Sequence, residues 1–544
     1  MEIRKNIKKF FKYLRDKTGK LPKPSLENFL IGLILFSNFL LALSIRLIPL
    51  KYGGILTEFD PYFQYYMTNW IVNQGWYGFI SWFFYGIDKT MWYPSGRDIP
   101  ATAYPGVAFV GAFVYLIIKS LGINAPVMYV VGFIPSFSAA ITTILIYFIG
   151  KEIHSKTTGL IASFLFAISA ATVGRTVYGF YDDDSISQIY IALFAYGLIK
   201  SFKEPSLKWS ILIGISLSLL SITWGSYTYF LNLYALLIVI LTLIGRYRKE
   251  IGKTYLIGMT MPIVTLTLLP KTSGFFIVSQ FALLPILAYV IILFNNYTNI
   301  SRQKLYLYIL LIIVGGFVLA YLLQKLNIVH GIYDKFIMVL NPFAKSGNPW
   351  IESVGEHAAT TWVQFFINFG LAFLFIPLGF YILIKRAKEQ DIFLVLFGLT
   401  SLHATATVNR LFMISAQPLI LLASIAFATI LISFAENLKE KKTFIERKRV
   451  RLFKGIPPSW VAIVFLIILL ISSLQIYVVK PNPLNISNAP PSILSSETGE
   501  VIDDWIATFQ WIRDNTPKDA VIASWWDYGY WITVNTGRIS VADN

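Results

Sequence analysis

Apolar stretches of about 20 residues, separated by short polar loops, recur along most of this chain. Stretches of that length and composition predict membrane-spanning helices, and the whole pattern predicts a polytopic α-helical membrane protein with about 13 spans. The predicted spans are residues 28–48, 126–150, 157–174, 185–202, 209–225, 226–244, 254–270, 273–294, 306–325, 363–385, 391–406, 411–434 and 458–479.

The apolar segment 105–118 decides the topology. It has about 14 residues, which is short of the length that a span needs. Counting it as a span would place Lys151 and Lys156 outside. An outer-face, reentrant or interfacial helix places them inside, as the excess of basic residues in cytoplasmic loops requires. We take the second reading, which puts every strongly basic loop on one side, including the largest, 436–456.

The pattern divides the chain into three predicted parts. Residues 1–27 form a basic cytoplasmic N-terminus, and residues 28–480 form a transmembrane domain with outer loops at 49–125 and 326–362. Residues 481–544 follow the last span on the outer side. They change from proline-rich to a helical pattern and then a short buried strand, which predicts the start of an α/β domain that is incomplete here.

Composition narrows the functional classes. The chain is 56% hydrophobic and 14% charged, which a soluble domain would not be. Its net charge of +17 is explained by the basic cytoplasmic loops, so no nucleic-acid partner is expected. The chain has no cysteine, which excludes disulfides, a thiol nucleophile and a cysteine-bound metal.

Three acidic groups lie between spans on the predicted outer side. They read E-F-D-P at 58–61, D-D-D at 182–184 and S-V-G-E-H at 353–357. Carboxylates that converge at a membrane boundary repel one another unless a cation joins them, and oxygen-only ligands suit Mg²⁺ or Mn²⁺. Asp182 and Asp184 would face one ion if their segment were extended. Solvated turns, or a helix cap at Asp184, are the alternatives.

Two further features carry candidate chemistry. Arg410 opens a predicted span at the outer boundary, where it either extends to the membrane surface or holds a phosphate with its planar fork. Trp525-Trp526-Asp527-Tyr528-Gly529 lies in the outer C-terminal segment. Two indole donors and a carboxylate can bind a hydroxyl such as that of Ser or Thr, although plain core aromatics are the other reading.

Taken together, these motifs resemble those of the catalytic subunit of the asparagine-linked oligosaccharyltransferase family, in its archaeal single-subunit type. The motifs are E-F-D-P, R-T-x-x-G-x-Y-D-x-D at 175–184, S-V-G-E, the late-span arginine and W-W-D-Y-G. The resemblance covers nearly the whole chain, and W-W-D-Y-G is highly specific. It implies a GT-C-like membrane glycosyltransferase that moves an oligosaccharide from a lipid-linked donor (dolichyl phosphate or diphosphate) to the asparagine of Asn-x-Ser/Thr in proteins.

The resemblance also implies roles for residues. Asp60, Asp182 and Asp184 would bind the divalent metal, Mn²⁺ or Mg²⁺, and Arg410 would hold the lipid-linked phosphate. The catalytic site would face the extracytoplasmic side of the cell membrane.

On the acceptor side, the resemblance places Glu356 at the amide nitrogen of the acceptor asparagine, together with Asp60. Trp525, Trp526 and Asp527 would bind the hydroxyl two residues further on. Arg175, near Asp60, and His357 are expected beside the site.

The chain departs from the family pattern at its C-terminal end. Family members carry a larger outer domain with a further motif downstream of W-W-D-Y-G, whereas this sequence ends 15 residues after Gly529. A truncation, a separate chain that supplies the rest of the domain, and a degenerate enzyme are all open. The rival functions are a transporter, which would carry its polar residues mid-span, and a polyprenyl-phosphate-dependent protein O-mannosyltransferase, which would lack W-W-D-Y-G.

Overall fold

The computed structural model describes residues 25–273, 276, 279–297, 355–439, 482–496 and 498–543, without the side chains of 280 and 434–439. It also describes isolated helical residues between 303 and 318 and between 460 and 470. The predicted spans 306–325 and 458–479, and the loop 436–456, fall largely outside these residues. The count of about 13 spans therefore stays a prediction.

Helices make up most of the described chain before residue 440, as the apolar pattern predicts. They are α1 (Leu26–Arg46), α2 (Asp60–Tyr85), α3 (Ile99–Thr102), α4 (Gly106–Ser120), α5 (Val127–Ile153), α6 (Lys156–Ile168), α7 (Ala170–Val173), α8 (Asp183–Lys203), α9 (Leu207–Thr223), α10 (Tyr227–Leu243), α11 (Lys249–Leu268), α12 (Leu283–Tyr297), α13 (Trp362–Phe369), α14 (Ile376–Arg386), α15 (Glu389–Thr407) and α16 (Phe412–Lys439). Six helical segments among the described residues are long and apolar enough to cross a membrane, and five shorter helices are also apolar. The protein is thus a polytopic helical membrane protein.

The core of the helical part lies around α8 and α16. We compare the buried share of the most apolar 18 residues in each candidate span. This share is 94% in the segment that contains α16 and 78% in α8, but only 22% in the segment that contains α1. α8 packs against α5 and α9, while α16 packs against α6, α14 and α15. The acidic run 182–184 opens α8 and Arg410 directly precedes α16, so the two central helices begin at the candidate site.

Two predicted spans differ from the observed helices. The span predicted at 157–174 is divided, because Ser169 has an extended backbone between α6 and α7. The span predicted at 363–385 is interrupted at Gly370, whose φ of 62° lies in the left-handed region that glycine tolerates. Both breaks occur where backbone conformation, which hydropathy does not report, ends the helix.

The loop between the first two predicted spans is largely helical. α2 has 26 residues and a kink at Gly75, and an antiparallel pair of strands follows, β1 (Ile87–Asp88) and β2 (Arg97–Asp98). α4, which contains the short apolar segment 105–118, has 15 residues and so is about 22 Å long, less than the thickness of a bilayer core.

The C-terminal segment combines short helices with a parallel pair of strands. Its elements are α17 (Pro483–Asn488), α18 (Asp504–Asn515), β3 (Val521–Ile522), α19 (Gly529–Thr536) and β4 (Ile539–Ser540). β3 pairs with β4 in parallel, Val521 opposite Ile539. Ser540 also forms two backbone hydrogen bonds with the outer loop. Its amide donates to the Thr90 carbonyl at 3.0 Å, and its carbonyl accepts from the Tyr93 amide at 3.1 Å. The segment therefore docks onto the loop that follows α2.

Candidate active site

Asp182, Asp183 and Asp184 form a carboxylate cluster at the start of α8. Asp182 caps the helix, and its Oδ1 accepts a hydrogen bond from the Asp183 amide at 2.8 Å. The helix begins at Asp183, so the segment is not extended as the two-residue spacing suggested, and the cap is Asp182 rather than Asp184. Carboxylate oxygens of all three residues lie within 4.8 Å of one another. Asp183 thus joins the cluster, which the sequence analysis did not anticipate.

The cluster suits a divalent cation. Asp183 Oδ1 and Asp184 Oδ1 are buried and accept no hydrogen bond within the described residues. Such oxygens are costly to bury unless a cation joins them. Burial, together with the nearby charges of Asp183, Asp60 and Asp184, raises the pKa of Asp182. Mg²⁺ or Mn²⁺, which prefer oxygen ligands, would offset both costs.

Asp60 reaches this cluster through a tight backbone contact between its loop and the second acidic motif. The Thr57 amide donates a hydrogen bond to the Gly179 carbonyl at 3.1 Å. Gly179 has a φ of 89°, and a Cβ there would lie 2.7 Å from the Ile55 carbonyl oxygen, so this position needs glycine. Asp60 then opens α2, where the helix dipole favours a carboxylate. The charge of Asp60 contributes to the raised pKa of Asp182.

Arg175 joins two acidic groups that are far apart in sequence. Its Nη1 lies 3.0 Å from Oδ2 of the fully buried Asp184, and its Nη2 donates a hydrogen bond to Glu356 Oε1. The sequence analysis placed Arg175 near Asp60. In the structure, its observed partners are the second and third acidic groups, which it holds at a fixed separation.

Arg410 also faces the carboxylate cluster and shares Glu356 with Arg175. Its Nη2 is 4.0 Å from Asp182 Oδ2 and 3.9 Å from Asp183 Oδ1, and its Nη1 is 3.7 Å from Glu356 Oε2. These separations are longer than hydrogen bonds. Within the described part of the chain, the planar fork faces carboxylates without being tightly bound by them, so it can accept an anionic ligand.

Glu356 and Arg410 lie close together because a backbone hydrogen bond connects the segments that contain them. Glu356 and His357 lie in a 3₁₀ turn, and His357 is half-buried beside the glutamate. The Asn409 amide donates a hydrogen bond to the Ala358 carbonyl at 3.0 Å, which brings this turn against the start of the Arg410 segment. The first two residues of the third acidic motif lie outside the described residues.

The tryptophan motif is a short exposed turn that precedes α19. The Trp525 indole donates a hydrogen bond to Asp527 Oδ2 at 3.2 Å, and the Trp525 and Trp526 rings lie 6.4 Å apart. Trp525 is 54% exposed, so it is not a core aromatic residue. A Cβ at Gly529 would lie 2.1 Å from the Ala542 carbonyl oxygen, which explains why the motif ends in glycine.

The motif faces the Asp60 loop. Burial raises the pKa of Asp527, and the charge of Asp60 contributes to the rise. The Trp531 ring lies 4.5 Å from the Phe59 ring, and its indole donates a hydrogen bond to the Glu58 carbonyl at 2.9 Å. Phe59 and Trp531 therefore join α19, which begins at the end of the tryptophan motif, to the loop that leads to Asp60. Sequence reasoning missed this contact, since two single aromatic residues give no pairing signal.

Arg97 forms a second link between the outer loop and the C-terminal segment. Its guanidinium lies 3.9 Å from the Phe63 ring centroid, donates a hydrogen bond to the Tyr530 hydroxyl and lies 3.4 Å from Asp543 Oδ1. Burial raises the pKa of Asp543 to about 6. Phe63 is one turn beyond Asp60 in α2, so this contact also supports the candidate site.

Comparison with known sequences identifies relatives along nearly the whole chain. The family profile described as oligosaccharyl transferase STT3, N-terminal, matches residues 48–429, more than half of the chain. The dolichyl-diphosphooligosaccharide–protein glycosyltransferase subunit STT3 of Dictyostelium discoideum is 28% identical over 537 residues, which cover 95% of this chain and 73% of that protein.

Solved structures show the same fold. The Archaeoglobus fulgidus oligosaccharyltransferase AglB, in complex with an inhibitory peptide and a dolichol-phosphate, matches with a TM-score of 0.70 and 14% identity over 96% of this chain. The same archaeal enzyme in complex with Zn and sulfate matches with a TM-score of 0.65 and 15% identity over 94% of this chain. This chain spans 65% and 62% of the length of those two structures.

Proposed function

Because this chain belongs to the oligosaccharyl transferase STT3 family, we propose that it transfers an oligosaccharide from a lipid-linked donor to the asparagine of Asn-x-Ser/Thr in acceptor proteins. The observation that carries the proposal is that Arg175 and Arg410 hold Glu356 against the Asp182–Asp184 cluster. The charge of Asp60 contributes to the raised pKa of both Asp182 in this cluster and Asp527 in the tryptophan motif. The STT3 relative is named for a dolichyl-diphospho donor, and the archaeal structure holds a dolichol-phosphate. A dolichyl phosphate or diphosphate is therefore the carrier we propose.

The metal would be held by Asp60, Asp182 and Asp184, with Asp183 as a further ligand. The two buried oxygens that accept no hydrogen bond within the described residues and the mutual proximity of the carboxylates support this assignment. When bound, Mn²⁺ or Mg²⁺ would stabilise negative charge on the departing phosphate or diphosphate.

Arg410 would bind the phosphate of the donor. Its side chain is 27% exposed, and its guanidinium lies more than 3.5 Å from the carboxylates of Asp182, Asp183 and Glu356. A bidentate contact with phosphate oxygens is the interaction that a planar guanidinium makes best.

Asp60 and Glu356 would hold the carboxamide of the acceptor asparagine. Its nitrogen is a poor nucleophile because the lone pair is delocalised into the carbonyl, and hydrogen bonds from the NH₂ to both carboxylates would favour a twisted, less delocalised amide. Arg175, which donates to Glu356, and the adjacent His357 would keep that carboxylate in place. Attack at the anomeric carbon from the face opposite the lipid phosphate inverts its configuration, with no covalent enzyme intermediate.

Trp525, Trp526 and Asp527 would bind the Ser or Thr hydroxyl of the acceptor. The Trp525–Asp527 hydrogen bond already pairs a donor with an acceptor, and a hydroxyl can both donate and accept. Binding energy gained there would offset part of the cost of twisting the amide.

The proposed setting is a multi-pass cell-membrane protein with a cytoplasmic N-terminus and an extracytoplasmic active site. Residues 28–480 would form the membrane domain, and residues 481–544 would belong to an outer domain. The site lies at the starts of α2 and α8 and just before α16, rather than along the middles of these helices, which argues against a transporter.

The proposal is tested by mass spectrometry. Membranes that contain the chain are incubated with a sequon peptide, lipid-linked glycan and Mn²⁺, with and without a co-expressed C-terminal fragment of a relative. An Asn-linked mass gain that chelation abolishes is expected. A gain on Ser or Thr would indicate an O-mannosyltransferase, and no gain in either arm would count against the transferase.

A further inference from the structure

Arg46, at the last residue of α1, is a buried charge that the proposed mechanism does not use. Its side chain is fully buried, and it lies in a segment apolar enough to cross a membrane. A guanidinium removed from water is costly unless it is paired, and an ionisable group in such a segment points to a functional demand. No carboxylate of the described chain pairs with it.

The Arg46 side chain instead holds the segment that leads to Arg175. Its Nε donates to Thr176 Oγ1 at 2.7 Å, its Nη2 donates to Thr172 Oγ1 at 2.9 Å, and its Nη1 donates to the Ala167 carbonyl at 2.8 Å. A further bond from Nη1 reaches the Ala42 carbonyl of its own helix. Four of the five N–H groups of the guanidinium are therefore used, and three of them bind acceptors within the segment 167–176.

The backbone of Arg46 extends the same contact. Its carbonyl accepts a hydrogen bond from the Tyr178 amide at 2.7 Å, and the Gly179 amide binds the Gly132 carbonyl of α5 at 3.0 Å. The turn between α7 and α8 is thus anchored at both ends to α1 and α5. Arg175 lies between the anchored residues, and its side chain is directed to Asp184 and Glu356.

We propose that Arg46 is a positioning residue for the active site: it anchors the 167–178 turn so that Arg175 is held against Asp184 and Glu356. The inference rests on the proposed metal and acceptor site. Three well-separated acceptors need a planar, forked donor, which a lysine ammonium cannot replace. Arg46 itself touches neither substrate nor metal and acts through Arg175.

The test measures Mn²⁺ affinity from the electron paramagnetic resonance signal of the free ion, which needs no catalytic turnover. The full chain is purified in nanodiscs as wild type, Arg46→Lys and Thr176→Val, which removes one acceptor of Arg46 while leaving the arginine. Both variants should weaken Mn²⁺ binding, by about 10- to 100-fold for Arg46→Lys, the range for residues that orient metal ligands indirectly. In an Arg175→Ala background, Arg46→Lys should add little further loss.

Arg386→Lys is the matched control. Arg386 is a half-buried arginine that binds Asp391 and the Ile153 carbonyl at the C-terminal end of α5. That end lies about 26 Å along the helix from Ser136, whose hydroxyl donates a hydrogen bond to the Arg46 carbonyl. The Arg386→Lys substitution should lower the unfolding temperature without changing the Mn²⁺ affinity.

The outcomes separate the two hypotheses. Unchanged Mn²⁺ affinity in folded Arg46→Lys and Thr176→Val protein, additive losses with Arg175→Ala, or an equal loss in Arg386→Lys would overturn the role of Arg46. Equal Mn²⁺ binding by wild type and Asp184→Ala would instead remove the proposed metal site, and the role of Arg46 with it.

Discussion

The acidic cluster and the tryptophan motif lie side by side but are built differently. Asp184 is fully buried at the start of α8, a central helix, and is paired with Arg175. Trp525 is 54% exposed in a short turn, where its indole donates a hydrogen bond to Asp527 and where Tyr528 packs on Trp505. The first region is positioned by the packing of the helical core, and the second by docking of the C-terminal segment onto the outer loop.

This difference separates two requirements of the proposed reaction. Groups that contact reacting atoms must be held closely, which buried helices achieve. A pocket that receives many acceptor proteins needs an open surface, so its residues lie in an exposed turn. We therefore expect changes in the cluster to act on turnover and changes in the docking contacts to act on acceptor affinity.

The largest effect is expected at the carboxylates. Asp60→Ala or Glu356→Ala should lower turnover at least about 100-fold, the scale for groups that stabilise a reacting centre directly. Quantitative mass spectrometry of the peptide product measures the loss. Membrane insertion should be unchanged, because both residues lie in loops or at a helix start. A fully active double variant would refute the assignment.

A smaller effect is expected at Arg410. Arg410→Lys keeps the charge but loses the bidentate contact, worth about 1.5–3 kcal/mol, so the KM for the lipid-linked donor should rise about 10- to 100-fold. The KM for the acceptor peptide should change little. Kinetics with each substrate varied in turn distinguish the two, and a rise confined to the peptide KM would show that Arg410 serves the acceptor instead.

A still smaller effect is expected at the contact through which Trp531 docks onto the loop that leads to Asp60. Trp531→Leu removes the ring packed on Phe59 and the hydrogen bond to the Glu58 carbonyl. An aromatic pair is worth about 0.5–1.5 kcal/mol, so the acceptor KM should rise roughly 2- to 10-fold with an unchanged donor KM. Trp511→Leu, at a tryptophan that is 61% exposed on α18, is the control and should leave both constants unchanged.

The smallest effect concerns pH. Asp543 has a folded-state pKa of about 6, raised by burial above the ordinary value of 3.8. The folded state therefore disfavours its ionised form, so this group makes docking more stable as pH falls from 7 towards 4. Asp543→Asn should abolish that difference, on the order of 1 kcal/mol, in thermal unfolding monitored by tryptophan fluorescence. A pH profile identical to that of the wild type would show that Asp543 does not titrate in this range.

The candidate site was predictable in part, because its chemistry resides in short runs. The sequence identifies Asp182 and Asp184 through their spacing, and Asp60 and Glu356 through the placement of scarce acids in loops. It could not identify Asp183 as a member of the cluster, since that depends on where α8 begins. Arg46 also escaped notice, because a basic residue at a helix end ordinarily reads as one that extends to the membrane surface.

By itself, the sequence determined that this is a polytopic membrane protein of the STT3 family, with acidic loops and a tryptophan motif. Hydropathy and short motifs are local properties, which a linear pattern records. Only the tertiary structure decided that Gly179 admits the Asp60 loop, that Arg175 joins Asp184 to Glu356, and that Trp531 packs on Phe59. Apart from the Arg175–Asp184 pair, these contacts join residues from about 120 to more than 450 positions apart, and they depend on how the helices pack and where the backbone turns.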